Sequence, residues 1–302
     1  MSTTTMLQLM QQAYTEMGLS VPSTVAGNST ADVVQGLGLL NAVGYEIQRQ
    51  WQWQALTKVY IFSTPYTTTT GTLTSGSAVI TAIPSTSGIT TDYQVTSGTG
   101  IPNASYVYSV DSGTQITMTL EASASGTAQT ITFSQTKFSL PSDWDRQVDG
   151  THWDNTQHWM MIGPISAQKW ELLTSGYIST GPRVQYRIFG GKFQIWPAQA
   201  STHQLGFEYM SNAWATSAGG TAKTSFTVDT DTCIFPDRLM VLGLKRKYFE
   251  AKGFNPIFDR DYMMELDNAK SNDAGSPVLS MNPRPTSVLI SWNNIPDSNF
   301  PS

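Results

Sequence analysis

The sequence predicts an α+β protein: a helical core made of two N-terminal helices plus a C-terminal helix pair, a small antiparallel β-sheet, an inserted all-β domain and an extended C-terminal arm. Three observations predict it. Apolar residues recur at helical spacing near the start of the chain and again between Pro236 and Asp273. Between Lys58 and Lys137 there is not one Lys or Arg, and short β-branched runs alternate with Gly-containing turns. After Gly275 prolines stand at 277, 283, 285, 296 and 301, and no apolar run is long enough for a helix. The domain boundaries follow: a discontinuous core over 1–65 and 136–274, an inserted module over 66–135, and an arm over 275–302.

The helices are expected in five places. Thr3 to Thr5 offer N-caps for the first, near Thr4 to Met17, which carries Met6, Met10, Ala13 and Met17 on one face and stops at Gly18. Asn28, Ser29 or Thr30 caps the second, near Thr30 to Trp53, whose stripe is Val33, Leu37, Leu40, Gly44, Ile47 and Trp51. Gly36, Gly38 and Gly44 each cost this helix up to about 1 kcal/mol relative to alanine, so close helix-to-helix approach is the expected return. A third, short helix falls near Ser166 to Ser175.

The fourth runs near Pro236 to Lys252. Pro236 suits the first helical position, Asp237 the positive end of the dipole, Lys245, Arg246 and Lys247 the negative end, and Gly253 the stop. Its stripe is Leu239, Leu242, Gly243, Arg246 and Phe249. Asn255-Pro256 then re-caps the fifth, near Pro256 to Asn272, with Phe258, Tyr262, Met263, Leu266 and Ala269 on its apolar face. Between the second helix and the module, Leu56 to Ser63 alternates as a strand, with Val59 and Ile61 set against Lys58 and Tyr60.

Composition narrows the function classes. Charged residues make up 13% of the chain and the net charge is −5; an acidic chain without a basic run is a poor grip for nucleic acid, whose phosphates are held by Lys and Arg. Cys233 is the only cysteine and lies in the apolar run Cys233-Ile234-Phe235, which excludes an internal disulfide framework and a thiolate zinc site and reads as a buried small hydrophobe. His152, His158 and His203 lack metal-ligand spacing and read as surface or packing residues; no Gly-rich piece leads from a strand into a helix as a phosphate loop does, so no cofactor is expected. The N-terminus lacks the features of a signal peptide, and no stretch approaches the ~18 apolar residues of a membrane span. Synthesis and folding in the cytoplasm, without a membrane partner, are expected.

Two motif sets carry a family resemblance. The module, with its Ser-Gly, Gly-Ile-Pro and Asp-Ser-Gly turns and an Ile-Thr-x-Thr strand, resembles the small β-modules strung along phage tail and fibre proteins. The stretch from Lys137, with Leu-Pro-x-Asp-Trp-Asp-Arg, then Trp153-Asp154, then Gly163-Pro164-Ile165-Ser166 leading to Gln168 and Trp170, resembles the head-to-tail adaptor proteins of tailed bacteriophages, the tail accessory factor family. So do Gly181-Pro182 ahead of RVQYRIF and KFQIWPAQ joined by Gly190-Gly191, the strand LGFEYMSNAW, and the closing helix pair. The likeness spans residues 3–64 and 137–281, and the module departs from the simplest members.

The resemblance implies a virion protein of the neck, made in the host cytoplasm. It would form a ring of about twelve copies beneath the portal protein, extend the DNA channel, hold the tail nozzle or tube protein, and meet double-stranded DNA only as passing cargo. A weakly acidic lumen would let DNA slide, so Lys245, Arg246 and Lys247 are expected to face protein partners or to pair with acids. The arm is expected to dock in extended form on the portal or an adjacent subunit through Pro283, Arg284, Val288, Leu289, Ile290 and Trp292.

The alternative is a cell-wall glycan hydrolase or glycan-binding tail protein. Asp143 and Asp145, two apart on an extended segment, would put two carboxylates roughly 7 Å apart, within the range a glycosidase uses, and Trp144, Trp153 and Trp159 would form a sugar platform. The bland reading of the same residues is a Pro141-Ser142-Asp143 turn, with Arg146 paired to either carboxylate and the tryptophans as core.

Overall fold

The structure is a computed structural model that describes residues 4–97, 99–175, 181, 183–254 and 258–274. The chain begins with α1 (Met6–Met17), α2 (Ala31–Gln50), a 3-10 turn (Gln54–Leu56) and β1 (Thr57–Ser63). The inserted segment holds β2 (Tyr66–Leu73), β3 (Val79–Ile80), β4 (Tyr93–Ser97), β5 (Val107–Ser112), β6 (Gln115–Met118) and β7 (Gly126–Gln135). Then follow β8 (Lys137–Ser139), β9 (Trp144–Gln147), β10 (Trp153–Asp154), β11 (Trp159–Met160), α3 (Ala167–Thr174), β12 (Gln185–Phe189), β13 (Lys192–Trp196) and β14 (Gln204–Ser211). Short strands β15 (Ala215–Thr216), β16 (Ala222–Lys223) and β17 (Thr232–Cys233) lead into α4 (Asp237–Ala251) and α5 (Asp259–Ala274). The fold is mixed α+β with small antiparallel sheets. None of the described helices is long and apolar enough to cross a membrane.

The helices form where the punctuation lies, with instructive differences. Thr5 closes a capping box on α1, accepting from the Gln8 amide while the Gln8 side chain accepts from its own, and Gly18 ends the helix at φ 71°. Helix α2 stops at Gln50 rather than Trp53. Trp51 turns to extended backbone and is 39% exposed, while Trp53 folds back to donate its indole N–H to the Ile47 carbonyl at 2.8 Å. Pro236 stands at the N-cap of α4, one place earlier than the first helical position. Met263 of α5 is exposed, against the expectation for its apolar face, whereas Tyr262, Leu266 and Ala269 are buried. Asn255-Pro256, read as a cap, and Pro182 lie outside the described residues.

Helix α4 is the hub. It packs against α1, α2 and α5, and Leu239 through Leu244 are buried without interruption, a wider burial than the single stripe expected. Gly36 lets the Tyr14 and Met10 side chains approach α2, Gly44 lies flat under the Trp214 ring, and Gly243 lets Val43 and Tyr262 meet α4. Gly38 breaks this pattern: a Cβ there would meet nothing within 4 Å, so close approach does not explain it.

Next to the helices lie two facing sheets. One has the order β1-β14-β10-β11, with β9 also on β14; the other is β12-β13-β8. Gly190 and Gly191, at φ 60° and 71°, make the two-residue turn that pairs Phe189 with Lys192. The two inner faces enclose Phe138, Tyr186, Phe193, Leu205, Phe207 and Tyr209. Strand β1 alternates as its sequence predicts, but the face turned inward carries Tyr60 and Phe62, and Val59 and Ile61 are left 64% and 51% exposed. The aromatic side chains win because ring-on-ring contact with Phe207 and Phe138 buries more apolar surface than a branched aliphatic pair.

The inserted segment has a core of its own, Leu73, Ile80, Ile83, Val95, Val107, Ile116, Ile131 and Phe133 among others, between the sheets β2-β7-β4 and β3-β6-β5. It joins the rest through Thr64-Pro65 and Thr136. A clamp forms at Asp92, whose carboxylate binds Lys192 Nζ at 2.6 Å while its carbonyl accepts from the amides of Thr136 and Lys137.

Candidate functional site

The three consecutive cations of α4 are each taken by a different helix. Lys245 is buried and reaches Glu16 of α1 at 2.8 Å, Arg246 pairs with Asp259 of α5 at 2.8 Å, and Lys247 pairs with Glu46 of α2. Arg238 also binds Glu16, and Lys252 reaches Asp32 at 3.4 Å. Burial alone would raise the Glu16 carboxyl, but hydrogen bonds from Lys245, Gln12 and Arg238 outweigh it and hold it below its ordinary value. Lys245 and Arg246 are further covered by the Phe258 and Tyr262 rings, at 4.2 and 5.0 Å. Of the alternatives for these three residues, the structure shows pairing with acids inside the chain, and Lys245 presents no charge to a partner. The other interface candidates, Pro283, Arg284, Val288, Leu289, Ile290 and Trp292, lie outside the described residues.

Asp143 sits in the Pro141 to Trp144 turn and is saturated: its oxygens accept from Lys58 Nζ at 2.6 Å, Ser211 Oγ at 2.7 Å and Tyr209 Oη at 2.8 Å. Burial pushes its carboxyl up, but these three donors prevail and keep it below the ordinary carboxylate range. A glycosidase acid needs the opposite shift. Asp145 is bound to Arg146 at 3.3 Å. The tryptophans are divided. Trp144 stacks on Tyr209 inside the sandwich; Trp153 lies opposite Gly206 and Met160 on the outer face; Trp159 pairs with Asp154 and lines a different cavity. They form no common platform.

Sequence spacing gave no hint of the most catalysis-like cluster. His203 Nδ1 lies 2.7 Å from Asp154 Oδ2, and its Nε2 lies 3.1 Å from Ser201 Oγ. Beside it is a cavity of about 160 Å³ lined by Trp159, Arg183 and Gln199 among others. The surrounding bonds describe a strap. Asp154 Oδ1 accepts from the Thr156 and Gln157 amides, the His203 amide donates to Thr64 Oγ1, and the Gln204 amide donates to Thr156 Oγ1. The backbone donors flanking His203 are thus spent tying the end of β1, the β10–β11 turn and the start of β14, and do not converge as an oxyanion site requires. The only signal available was the Trp-Asp dipeptide; its partner is 49 residues away.

His152 is fully inside, stacked on Tyr186 with ring centroids 4.1 Å apart and bonded to its hydroxyl at 3.0 Å. Burial pulls its pKa down to about 4, against which Asp149 acts weakly. His158 is exposed at φ 56° in the β10–β11 turn. Cys233 is buried, and burial pushes its thiol up to about 12, far from a nucleophile's range. Among the described residues no group of His, Cys, Asp and Glu is arranged to hold a metal ion.

Comparison of the chain with protein-family models gives no match, and comparison with curated proteins gives no similar sequence.

Proposed function

We propose that this chain is a structural head-to-tail adaptor of a bacteriophage virion, in which the two N-terminal helices and the C-terminal pair form the body. Copies assemble in a ring beneath the portal, extend the DNA channel and offer the attachment site for the tail. The module at 66–135 is a peripheral contact element, and the arm at 275–302 secures the joint. The observation that carries this reading is the α4 hub: every cation of the 245–247 run is consumed within the chain. A body built this way is braced by its own charges and leaves α4 no row of ammonium groups to hold DNA phosphates. The saturated, acid-depressed Asp143 favours the structural reading over a glycan hydrolase.

The test is co-sedimentation with portal rings of the phage that encodes this chain, alongside a cell-wall clearing assay. The adaptor reading expects stoichiometric binding and no clearing. Clearing of cell wall, with no binding to portal rings, would replace it with the hydrolase.

A further inference from the structure

The outer side of the β1 sheet is built like an unfinished interface. Strand β1 pairs with β14 along one edge, and among the described residues nothing pairs with the other. Its outward side chains Val59 and Ile61 are 64% and 51% exposed. The apolar row continues across the sheet at one register: Ile61 lies opposite Gly206, Gly206 opposite Trp153, and Trp153 opposite Met160, with Trp153 45% and Met160 37% exposed. Open edges of this kind are normally guarded by a charge, a proline or a bulge. Here β1 has no proline and pairs with β14 in unbroken register, and its only cation, Lys58, is held by Asp143 through an ion pair of 2.6 Å.

The chain's own exit lies at the start of this edge. The carboxylate of Asp273, near the end of α5, accepts from the amides of Gln54 at 2.6 Å and Ala55 at 3.4 Å, just ahead of β1. The last described turn of α5 therefore lies beside the start of β1, and residues 275–302 follow it in sequence. Within them Val288, Ile290 and Trp292 alternate with Leu289 and Ser291, and prolines at 285 and 296 delimit the segment. At about 3.1 Å per residue, the eleven residues 275–285 reach at most roughly 34 Å, longer than the roughly 23 Å that β1 spans at strand rise, so the β1 edge of a second copy is within their reach.

We propose that residues 286–292 of one copy add as a strand to the free β1 edge of a second copy, setting Val288, Ile290 and Trp292 alongside the outward face that begins with Val59 and Ile61. Backbone hydrogen bonds along the edge supply affinity, and the apolar row selects the register. The occupant is this chain's own arm. The inference shares the ring reading's self-association but needs neither a portal nor a phage.

The experiment is disulfide trapping across copies, in full-length chain at concentrations where it self-associates. One batch carries Val59→Cys or, as a second position, Ser63→Cys; the other carries Ile290→Cys. The native thiol of Cys233 is buried and stays silent. Mixing the batches under mild oxidation should give a crosslinked dimer that neither batch gives alone, and adding Ile61→Lys to the first batch should reduce it roughly ten-fold, the size expected of an edge guard. A chain carrying both cysteines that closes only on itself, or no crosslink at either β1 position, would overturn the proposal. Portal binding measured on the same batches separates this failure from failure of the adaptor reading.

Discussion

The helical body and the inserted β-module each enclose an apolar core, but they are secured in opposite ways. In the body, ion pairs radiate from α4 to three other helices, and side chains such as Trp214 lie against bare glycine. In the module the described bonds are between Ser, Thr and backbone groups, with Asp111 accepting from Ser109 and Thr117, and its core is aliphatic apart from Phe133 and Tyr93. The body's arrangement specifies which element packs on which, because each cation of the 245–247 run has its acid on a different helix. The module's hydroxyl ladders specify only a sheet, and its position depends on the Asp92 clamp and two strand crossings. Helices from the two ends of the chain can thus close one body across a long insertion.

The first way to break this comparison is acid. His152, seated between the two facing sheets beside the helical body, has a folded pKa lowered to about 4, so it is neutral when folded, while in the unfolded chain it gains a proton near 6.5. Between those values the unfolded state binds more protons, so the stability His152 contributes is complete above about pH 6.5 and is lost as pH falls towards 4, up to about 3 kcal/mol. The facing sheets should unfold earlier than the module in melts run from pH 7 down to 4.5. His152→Phe, which keeps a ring in the stack, should flatten that dependence; an unchanged pH profile would refute the assignment.

Almost as large is Gly44→Ala. The added methyl would fall inside the Trp214 ring, which is buried under Phe226 and Phe235 and has no room to retreat. A cost of about 2–3 kcal/mol is expected by denaturant melts, at the upper end for overpacking. The module's counterpart is Gly71→Ala, whose methyl would meet Ile80 Cγ2 at 2.8 Å and Ile131 Cδ1 at 2.9 Å. The Ile131 tip can rotate away while the Ile80 branch moves only with its stiff χ1, so the cost should be about 1–2 kcal/mol and confined to the module, visible as local amide exchange with α4 unchanged. Smallest, and of opposite sign, is Gly38→Ala: nothing lies within 4 Å, and a gain of up to about 1 kcal/mol in melting stability is expected from helix propensity.

Much of the scaffold was legible because its signals are local. The capping box at Thr5, the stop at Gly18, the turn at Gly190-Gly191 and the loss of Lys and Arg after Lys58 all act within a few residues. What stayed hidden depends on partners far along the chain. Period two placed β1 but not its inward face, because that choice was made by Phe207 and Phe138, more than seventy residues on. The Ser201–His203–Asp154 strap and the aromatic seat of His152 were invisible for the same reason. The α4 cations were read as facing protein partners or pairing with acids, and which acids stayed hidden: helical rotation of about 100° per residue sends consecutive side chains to different neighbours.

The central claim is that the braced helical body is a ring subunit of the phage neck. Cryo-electron microscopy of intact particles, with this chain located by a C-terminal tag, tests it most directly. The account predicts a ring of density directly below the portal, with the α1, α2, α4 and α5 bodies around the DNA path and the 66–135 modules outside it. Density for this chain at the tail tip or on fibres, with none at the neck, would contradict it.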